Sequence, residues 1–357
     1  MRYGYWMPVF GGWLRNVPDE QMAATWEYSR DLARRSEQIG YDLTLIAELF
    51  LNDIKGIYAP ALDAWSTAAA LAAVTEKLEL MVAVRPTFHN PAILAKQAAN
   101  IDRIANGRLS LNVVSSWWAD EARRYGVHFE QHDDRYARTD EWLAVIQGAW
   151  CNETFTHKGK YYSVDETVLA PKPVRPPVIY AGGESEAAKT LISSRCDAYV
   201  MHGDPPQRIR EKIADMSARR ERMGLAPMTF GVAGFLIVRD TEGEAKKELA
   251  RITDVKQSAA GYDNYQQWLA GTNLDRKVSL EDYSVTNRGL ASGLVGTPGQ
   301  IKERVAEFES AGVDLLLLQC SPQFEEMERF GKMVIQSGKP SRGSAESSYP
   351  AGVKSTV

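Results

Sequence analysis

An apolar run, Val178-Ile-Tyr-Ala181, ends in Gly182-Gly183, and Glu184-Ser185 then opens an alanine-rich helical pattern. That order spells a strand, a tight turn and a helix N-terminus, where unpaired backbone N–H groups meet the positive end of the helix dipole. With a serine hydroxyl beside them, such groups hold a phosphate without a lysine. The same residues also build ordinary βα turns, so the segment taken alone leaves both readings open. Other residues able to do chemistry end strand-like runs: Phe10, Glu48, Arg85, Asn112 with Ser115 and Trp117, His202, Phe235 and Ser321. This set is poor in general acids and bases. It has no nucleophile elbow, no Walker loop and no pair of catalytic carboxylates. Chemistry on such a frame belongs to a cofactor, with the protein supplying shape and a dry cavity.

The elements that must carry these residues alternate. Strand-like runs cover Tyr3–Phe10, Leu43–Ala47, Leu78–Val84, Leu109–Val114, Val178–Ala181, Ala198–Met201, Thr229–Val238 and Leu315–Gln319. Several are almost wholly apolar, as parallel strands covered on both faces must be. Helical periodicity is read over Met22–Ile39, Ala61–Val74, Pro91–Ala105, Thr139–Trp150, Ser185–Ser194, Pro206–Met223 and Pro298–Ala311. Gly40, Gly107 and Gly312 follow three of these segments as helix stops. Eight strand–helix units predict an α/β fold, a closed (β/α)8 TIM barrel, over a doubly wound open sheet. One barrel domain is expected over 1–336, with insertions at 152–177 and 256–296. The second insertion, before the last strand, reads as an active-site lid or a surface excursion. The Ser/Gly/Pro-rich tail 337–357 cannot contribute a core.

Across 357 residues the hydrophobic share is 44% and the formal charge is −4, enough for a large core and without a basic stripe for nucleic acid. Three unclustered cysteines, Cys151, Cys196 and Cys320, predict reduced thiols and a cytoplasmic protein. No signal peptide and no run of about 20 apolar residues is present, so no membrane partner is expected. His128 and His132 are spaced as i,i+4, but the segment reads as loop and lacks a third ligand, so no metal site is expected. Gly289, Gly293 and Gly296 have the wrong spacing for a dinucleotide fingerprint.

Separated motifs then recur in order: Arg85-Pro86, Leu109-Ser-Leu-Asn-Val-Val114, His132-Asp-Asp-Arg-Tyr136 with Asp140-Glu141, Gly182-Gly183-Glu184-Ser185 and Gly203-Asp-Pro-Pro206. Through them nearly the whole chain resembles the bacterial-luciferase-like flavin monooxygenases. It is similar to the two-component alkanesulfonate monooxygenases and, within them, to the dimethyl sulfone branch. The resemblance implies a TIM barrel that binds reduced FMN, supplied by a separate NAD(P)H-dependent FMN reductase, in a homodimer or homotetramer. It places Gly182, Gly183, Glu184 and Ser185 at the phosphate, with Tyr136 framing that pocket and Arg135 adding charge. Val82 and Ala83 would pass beneath the isoalloxazine ring, where the family places a non-proline cis peptide within Met81–Ala83. Asn112 and Ser115 would reach the flavin's polar edge or ribityl chain. Arg288 matches a lid arginine and, with His202, is a candidate catalytic group. Trp6, Phe10, Glu48, Trp117 and Phe235 are candidate substrate-binding residues, and Trp13 and Trp118 could also wall the cavity.

Departures bear on the substrate. Leu49 stands where luciferases carry a histidine, and Ala61 where alkanesulfonate monooxygenases carry a cysteine. On the seventh strand Ala233 and Phe235 replace an arginine and a histidine, and Ser321 falls near a tyrosine position. Losing these groups disfavours an anionic sulfonate, whose buried charge would lack a partner. A small neutral molecule fits better, so the expected reaction is oxygenation of dimethyl sulfone to methanesulfinate and formaldehyde, in sulfur assimilation. The alternatives are a short-chain alkanesulfonate monooxygenase, a non-catalytic flavin-binding protein, or a deazaflavin-dependent dehydrogenase on the same fold.

Overall fold

Apolar runs of four to seven residues with no polar face can be satisfied only when covered on both sides, and the barrel covers them. The computed structural model describes residues 1–254, 265–272, 274–285 and 288–336. The barrel strands are β1 (Arg2–Met7), β2 (Leu43–Ile46), β3 (Glu79–Val84), β4 (Leu109–Val113), β7 (Val178–Ala181), β8 (Ala198–Met201), β9 (Thr229–Phe235) and β12 (Leu315–Gln319). They close in the order β1-β12-β9-β8-β7-β4-β3-β2, all parallel. Closure is made by β1 against β12, with Arg2 opposite Leu315 and Tyr5 opposite Leu318. The barrel and its eight strands are as the sequence predicts.

Pleating divides each strand between two cores. Leu43, Leu45, Met81, Ala83, Tyr180, Ala198, Leu315 and Leu317 pack inside the barrel. Their neighbours, Val82 and Leu316 among them, pack outward into a larger core shared with the helices. The helices are α1 (Trp26–Ile39), α2 (Ala64–Val74), α3 (Pro91–Ile104), α4 (Ala119–Arg124), α5 (His132–Cys151), α6 (Glu186–Arg195), α7 (Pro206–Arg222), α8 (Glu242–Ile252), α9 (Tyr265–Gly271), α10 (Leu280–Val285), α11 (Pro298–Ser310) and α12 (Gln323–Phe330). Gly40 ends α1 in the left-handed conformation, at φ 108°, where its N–H reaches the Ser36 carbonyl.

Several boundaries differ from the reading above. Thr25 and Asp63 cap α1 and α2, so both helices start three or four residues late. Helix α5 starts seven residues before Thr139, so the His-Asp-Asp-Arg-Tyr motif is helical from His132. Asp133 and Asp134 in its first turn suit the dipole there, although the segment has no apolar stripe. The run Thr229–Val238 is split, because β9 leaves the barrel after Phe235. Its continuation β10 (Ile237–Val238) instead pairs with β11 (Val295–Gly296).

The first insertion carries a hairpin of β5 (Thr154–Lys158) and β6 (Ser163–Val168). Glu141 on α5 anchors it by accepting from the Tyr161 and Tyr162 amides. The second insertion contains α9 and α10, whose Trp268 and Tyr283 join Val278 in a small core of their own. The tail 337–357, and residues 256–264, 273, 286 and 287 of the second insertion, lie outside the described residues. Among the described residues no helix is long and apolar enough to cross a membrane.

Candidate active site

A cavity of about 320 Å³ opens at the C-terminal ends of the strands, within the size range of small-molecule sites. Of the residues singled out in the sequence, Trp6, Phe10, Trp13, Glu48, Ala83, Asn112, Ser115, Trp117, Arg135, Tyr136, Gly182, Gly183, Glu184 and His202 line it. Trp118 does not. It stacks behind Trp117, with ring centroids 5.4 Å apart and planes 5° from parallel. Val82, Phe235 and Ser185 also fall outside the lining: the first two pack in the outer core, and Ser185 caps α6 next to Gly183 and Glu184, which do line it. Ala233, two residues before Phe235, is the β9 residue at the cavity. Trp268, Thr272, Leu274 and Val285 from the second insertion line it too and form a roof.

The corner after β7 has the geometry that an anion needs. Ser185 is the N-cap of α6, and its Oγ accepts from the Ala188 amide at 3.2 Å. The Tyr136 hydroxyl faces Ser185 and Ser115. Burial raises the Tyr136 pKa against the opposing pull of Ser185, so this group stays a neutral donor. Glycine is required twice. A Cβ on Gly182 would stand 2.8 Å from the Val200 carbonyl oxygen. One on Gly183 would stand 2.6 Å from Ala188 Cβ and 3.2 Å from the Tyr136 hydroxyl. Three hydroxyls, a bare turn and a helix N-terminus therefore meet in a cradle that a terminal phosphate fits. Arg135 adds charge: its guanidinium donates to the Ser115 and Glu130 carbonyls and lies over Phe129, and among the described residues no carboxylate is bridged to it. Burial lowers its pKa, opposed only in part by Tyr136 and Glu130.

Most other charged groups here are compensated within the chain. Arg15 forks onto Asp53 at 2.8 and 3.1 Å. Glu48 accepts from the Arg85 amide at 2.9 Å and from its Nε at 3.3 Å, and it meets His89 Nε2 at 2.7 Å. The same Arg85 bridges to buried Glu121. Glu48 thus stands at the cavity with its carboxylate already committed, which weakens its expected role in substrate binding.

Glu184 is the centre of a second ionic cluster. Its carboxylate meets Arg288, Lys212 Nζ at 2.7 Å and His202 Nδ1 at 3.6 Å. Burial alone would raise its pKa, but His202 and then Arg288 hold it well below the usual carboxylate range. So the side chain turns to cations, and only the main chain of Glu184 serves the corner. Arg288 is fully buried and bound also to Asp275 at 2.7 Å and Asp204 at 3.2 Å. It therefore does not face the cavity, contrary to its expected position over the flavin. It adopts φ 70°, a left-handed conformation that costs a non-glycine residue roughly 1–3 kcal/mol. The surrounding ion pairs hold it there. Lys212, Asp204 and Asp275 were not singled out by their chemistry in the sequence. Although the oxygens of Glu184, Asp204 and Asp275 lie within 4.8 Å of one another, Arg288 and Lys212 already bridge them.

The expected non-proline cis peptide is also absent. Cis bonds in the described chain precede Pro171 and Pro322 only. Strand β3 stays in register with β4 through Ala83 opposite Asn112 and Val84 opposite Val113, which keeps these peptides extended and trans.

Known proteins share this architecture. A luciferase-like monooxygenase family model matches residues 1–315. The FMNH2-dependent dimethylsulfone monooxygenase of Pseudomonas fluorescens (strain Pf0-1) is 33% identical over 361 residues, covering 99% of this chain and 98% of that protein. The enzyme of the same name from Pseudomonas putida is 33% identical over 352 residues, covering 94% of each. Among solved structures, a riboflavin lyase shares the fold with a TM-score of 0.80 at 20% identity, over 94% of this chain and 91% of its own. With matches that run through nearly the whole barrel, the chain belongs to the luciferase-like monooxygenase family.

Proposed function

We propose that this chain is the oxygenase component of a two-component flavin system and converts dimethyl sulfone to methanesulfinate and formaldehyde. The FMNH2-dependence and substrate named for its relatives support the reading. The observation that carries the choice of substrate is the charge compensation of the cavity. Away from Arg135, its charged residues pair within the chain: Arg15 with Asp53, Arg85 with Glu48, and Glu184 with Arg288. A sulfonate would bring in a full negative charge with no cation left to meet it, at a cost of several kcal/mol. A neutral sulfone requires only one or two hydrogen-bond donors.

In this reading Ser185, Ser115, Tyr136 and the amides after Gly182 hold the FMN phosphate, and Arg135 supplies the balancing charge. When bound, reduced FMN supplies the two electrons that take one atom of O2 to water while the other enters a C–H bond of the substrate. The resulting carbinol breaks its C–S bond, so dimethyl sulfone, O2 and FMNH2 yield methanesulfinate, formaldehyde, water and FMN. The chain's part is orientation and dryness. Trp6, Phe10, Trp13 and Trp117 wall the site, and Trp268, Leu274 and Val285 roof it. His202 lines the cavity with Nδ1 3.6 Å from Glu184, and in its doubly protonated form the ring would donate Nε2–H toward a sulfone oxygen while Nδ1–H faces the carboxylate. Asn112 reaches from the end of β4 toward the flavin's polar edge. An NAD(P)H-dependent FMN reductase in the same cytoplasm would deliver the cofactor to a homo-oligomer.

The test is anaerobic mixing of the protein with photoreduced FMN and dimethyl sulfone, followed by oxygen. Stoichiometric methanesulfinate and formaldehyde are expected, with no sulfite from methanesulfonate under the same conditions. Good turnover of methanesulfonate with none of dimethyl sulfone would replace the reading by that of an alkanesulfonate monooxygenase.

A further inference from the structure

The two sides of the barrel mouth differ in kind. In the closed strand order β7 and β4, which lead into the proposed phosphate corner, stand across the ring from β1 and β12. That far side is walled by two indoles. Trp6, near the end of β1, and Trp13, in the loop after it, both line the cavity. Their rings meet edge to face, with centroids 6.3 Å apart and planes at 81°. Trp6 Nε1 is buried without a hydrogen-bond partner among the described residues, so this ring is oriented by packing and by its main chain.

One buried amide ties both indoles. Gln323, the first residue of α12, is fully buried. Its Oε1 accepts from Trp13 Nε1 at 2.7 Å, and its Nε2 donates to the Trp6 carbonyl at 2.8 Å. An indole N–H can only donate and a carbonyl can only accept, so the two partners fix which way the amide points. Pairing of β1 with β12 ends at Tyr5 opposite Leu318, and Gln323 takes the next carbonyl of β1 in place of a further β12 residue. The Trp13 main chain is fixed separately. Glu20 Oε1 accepts from the Trp13 and Leu14 amides at 2.8 and 2.9 Å and from Lys55 Nζ at 2.7 Å. With that backbone clamped, the Trp13 ring retains only its side-chain torsions, and the bond to Gln323 fixes those.

We propose that Gln323 is a positioning residue that locks Trp13 against Trp6, sets the width of the substrate chamber, and so selects dimethyl sulfone over longer dialkyl sulfones. This rests on the reading of the cavity as a sulfone site. Gln323 lies outside the cavity lining, so it acts through the two indoles. A Trp13 ring free to rotate would open room for added methylenes, and a single methylene in an apolar pocket changes relative rates by about tenfold or more.

The experiment uses the full chain with photoreduced FMN, oxygen, and dimethyl or diethyl sulfone. Gln323→Met keeps the length of the side chain and offers neither bond. It should lower the kcat/KM preference for dimethyl over diethyl sulfone about tenfold, raising KM for dimethyl sulfone more than it lowers kcat. FMN affinity, set across the ring, should change by no more than about twofold. Gln323→Glu separates positioning from folding. An ionised carboxylate there accepts from Trp13 Nε1 but meets the Trp6 carbonyl without a hydrogen, whereas the protonated form restores both bonds. The preference, taken relative to wild type at each pH, should therefore recover as pH falls, a trend that a merely destabilised chain does not show. Unchanged preference in folded Gln323→Met, or equal losses for FMN and both sulfones, would overturn the inference. Should Gln323→Met fail to fold, a Gln323→Glu chain whose preference does not recover with acid overturns it. If wild type oxidises methanesulfonate and no sulfone, the sulfone reading alone fails, and the same ratios for methanesulfonate against propanesulfonate test the wall.

Discussion

Replacing Ser185 separates two functions that a single hydroxyl performs at the β7–α6 corner. Its Oγ accepts from the Ala188 amide at 3.2 Å as the helix N-cap. Because that bond uses a lone pair, the hydroxyl hydrogen remains free to donate to a phosphate oxygen. Ser185→Ala loses both bonds. Loss of the cap costs about 1 kcal/mol of folding stability. Loss of a charge-assisted bond costs about 1–3 kcal/mol of FMN affinity, roughly 5- to 150-fold in Kd. Ser185→Asp distinguishes the two effects. Aspartate caps a helix as well as serine does, so stability is retained, while its carboxylate repels the phosphate beyond the alanine loss. Quenching of tryptophan fluorescence by FMN reads affinity, since Trp6, Trp13, Trp117 and Trp268 all line the cavity. Thermal denaturation reads stability. Full FMN affinity in a destabilised Ser185→Ala chain would reduce the residue to a structural cap and refute the assignment.

Arg288→Gln leaves Glu184, Asp204 and Asp275 with one bridging cation fewer, and should destabilise the fold by about 3–5 kcal/mol in denaturant melts. The pH dependence follows from Glu184, whose folded pKa is depressed below its ordinary 4.5. Its contribution is complete above about pH 4.5 and is lost as pH falls, so the variant's stability should decline less steeply with acid than that of wild type. Ala233→Arg places an uncompensated cation at the cavity and should exchange dimethyl sulfone turnover for methanesulfonate binding, as product analysis and titration would register. Phe235→His should confer no sulfonate activity and should lower thermal stability, since Phe235 lies in the outer core. Trp117→Ala opens the wall behind which Trp118 stacks, and should raise hydrogen peroxide released per FMNH2 consumed.

The barrel was legible because its signal is local. Strands covered on both faces read as bare apolar runs, and β7 is found at its full length, Val178–Ala181. The glycine turn and capping serine proposed to hold the phosphate were legible for the same reason, since they are neighbours in sequence. Start signals were weaker guides. The first two turns of α5 carry charges in place of an apolar stripe, so a periodicity argument passes over them. The roof was the least legible part. Helices α9 and α10 have seven and six residues, too few for a period, and Trp268 and Tyr283 form their contacts amid polar neighbours. The cluster that holds the roof joins Glu184 to residues 91 and 104 positions away, a distance over which spacing carries no information. Arg288 illustrates the consequence. A resemblance marks the position, while its partners, and hence its burial away from the cavity, come from the tertiary fold alone. Phe235 and Val82 show a smaller version, in which strand ends locate a residue but not the face it presents.

The most direct measurement is a crystal structure of the FMN complex. The account predicts phosphate density against the amides that follow Gly182, within hydrogen-bonding distance of the Ser185 and Tyr136 hydroxyls, with the ring system among Trp6, Ala83 and Trp117. A phosphate bound at any other place, with that corner holding only water, would contradict it.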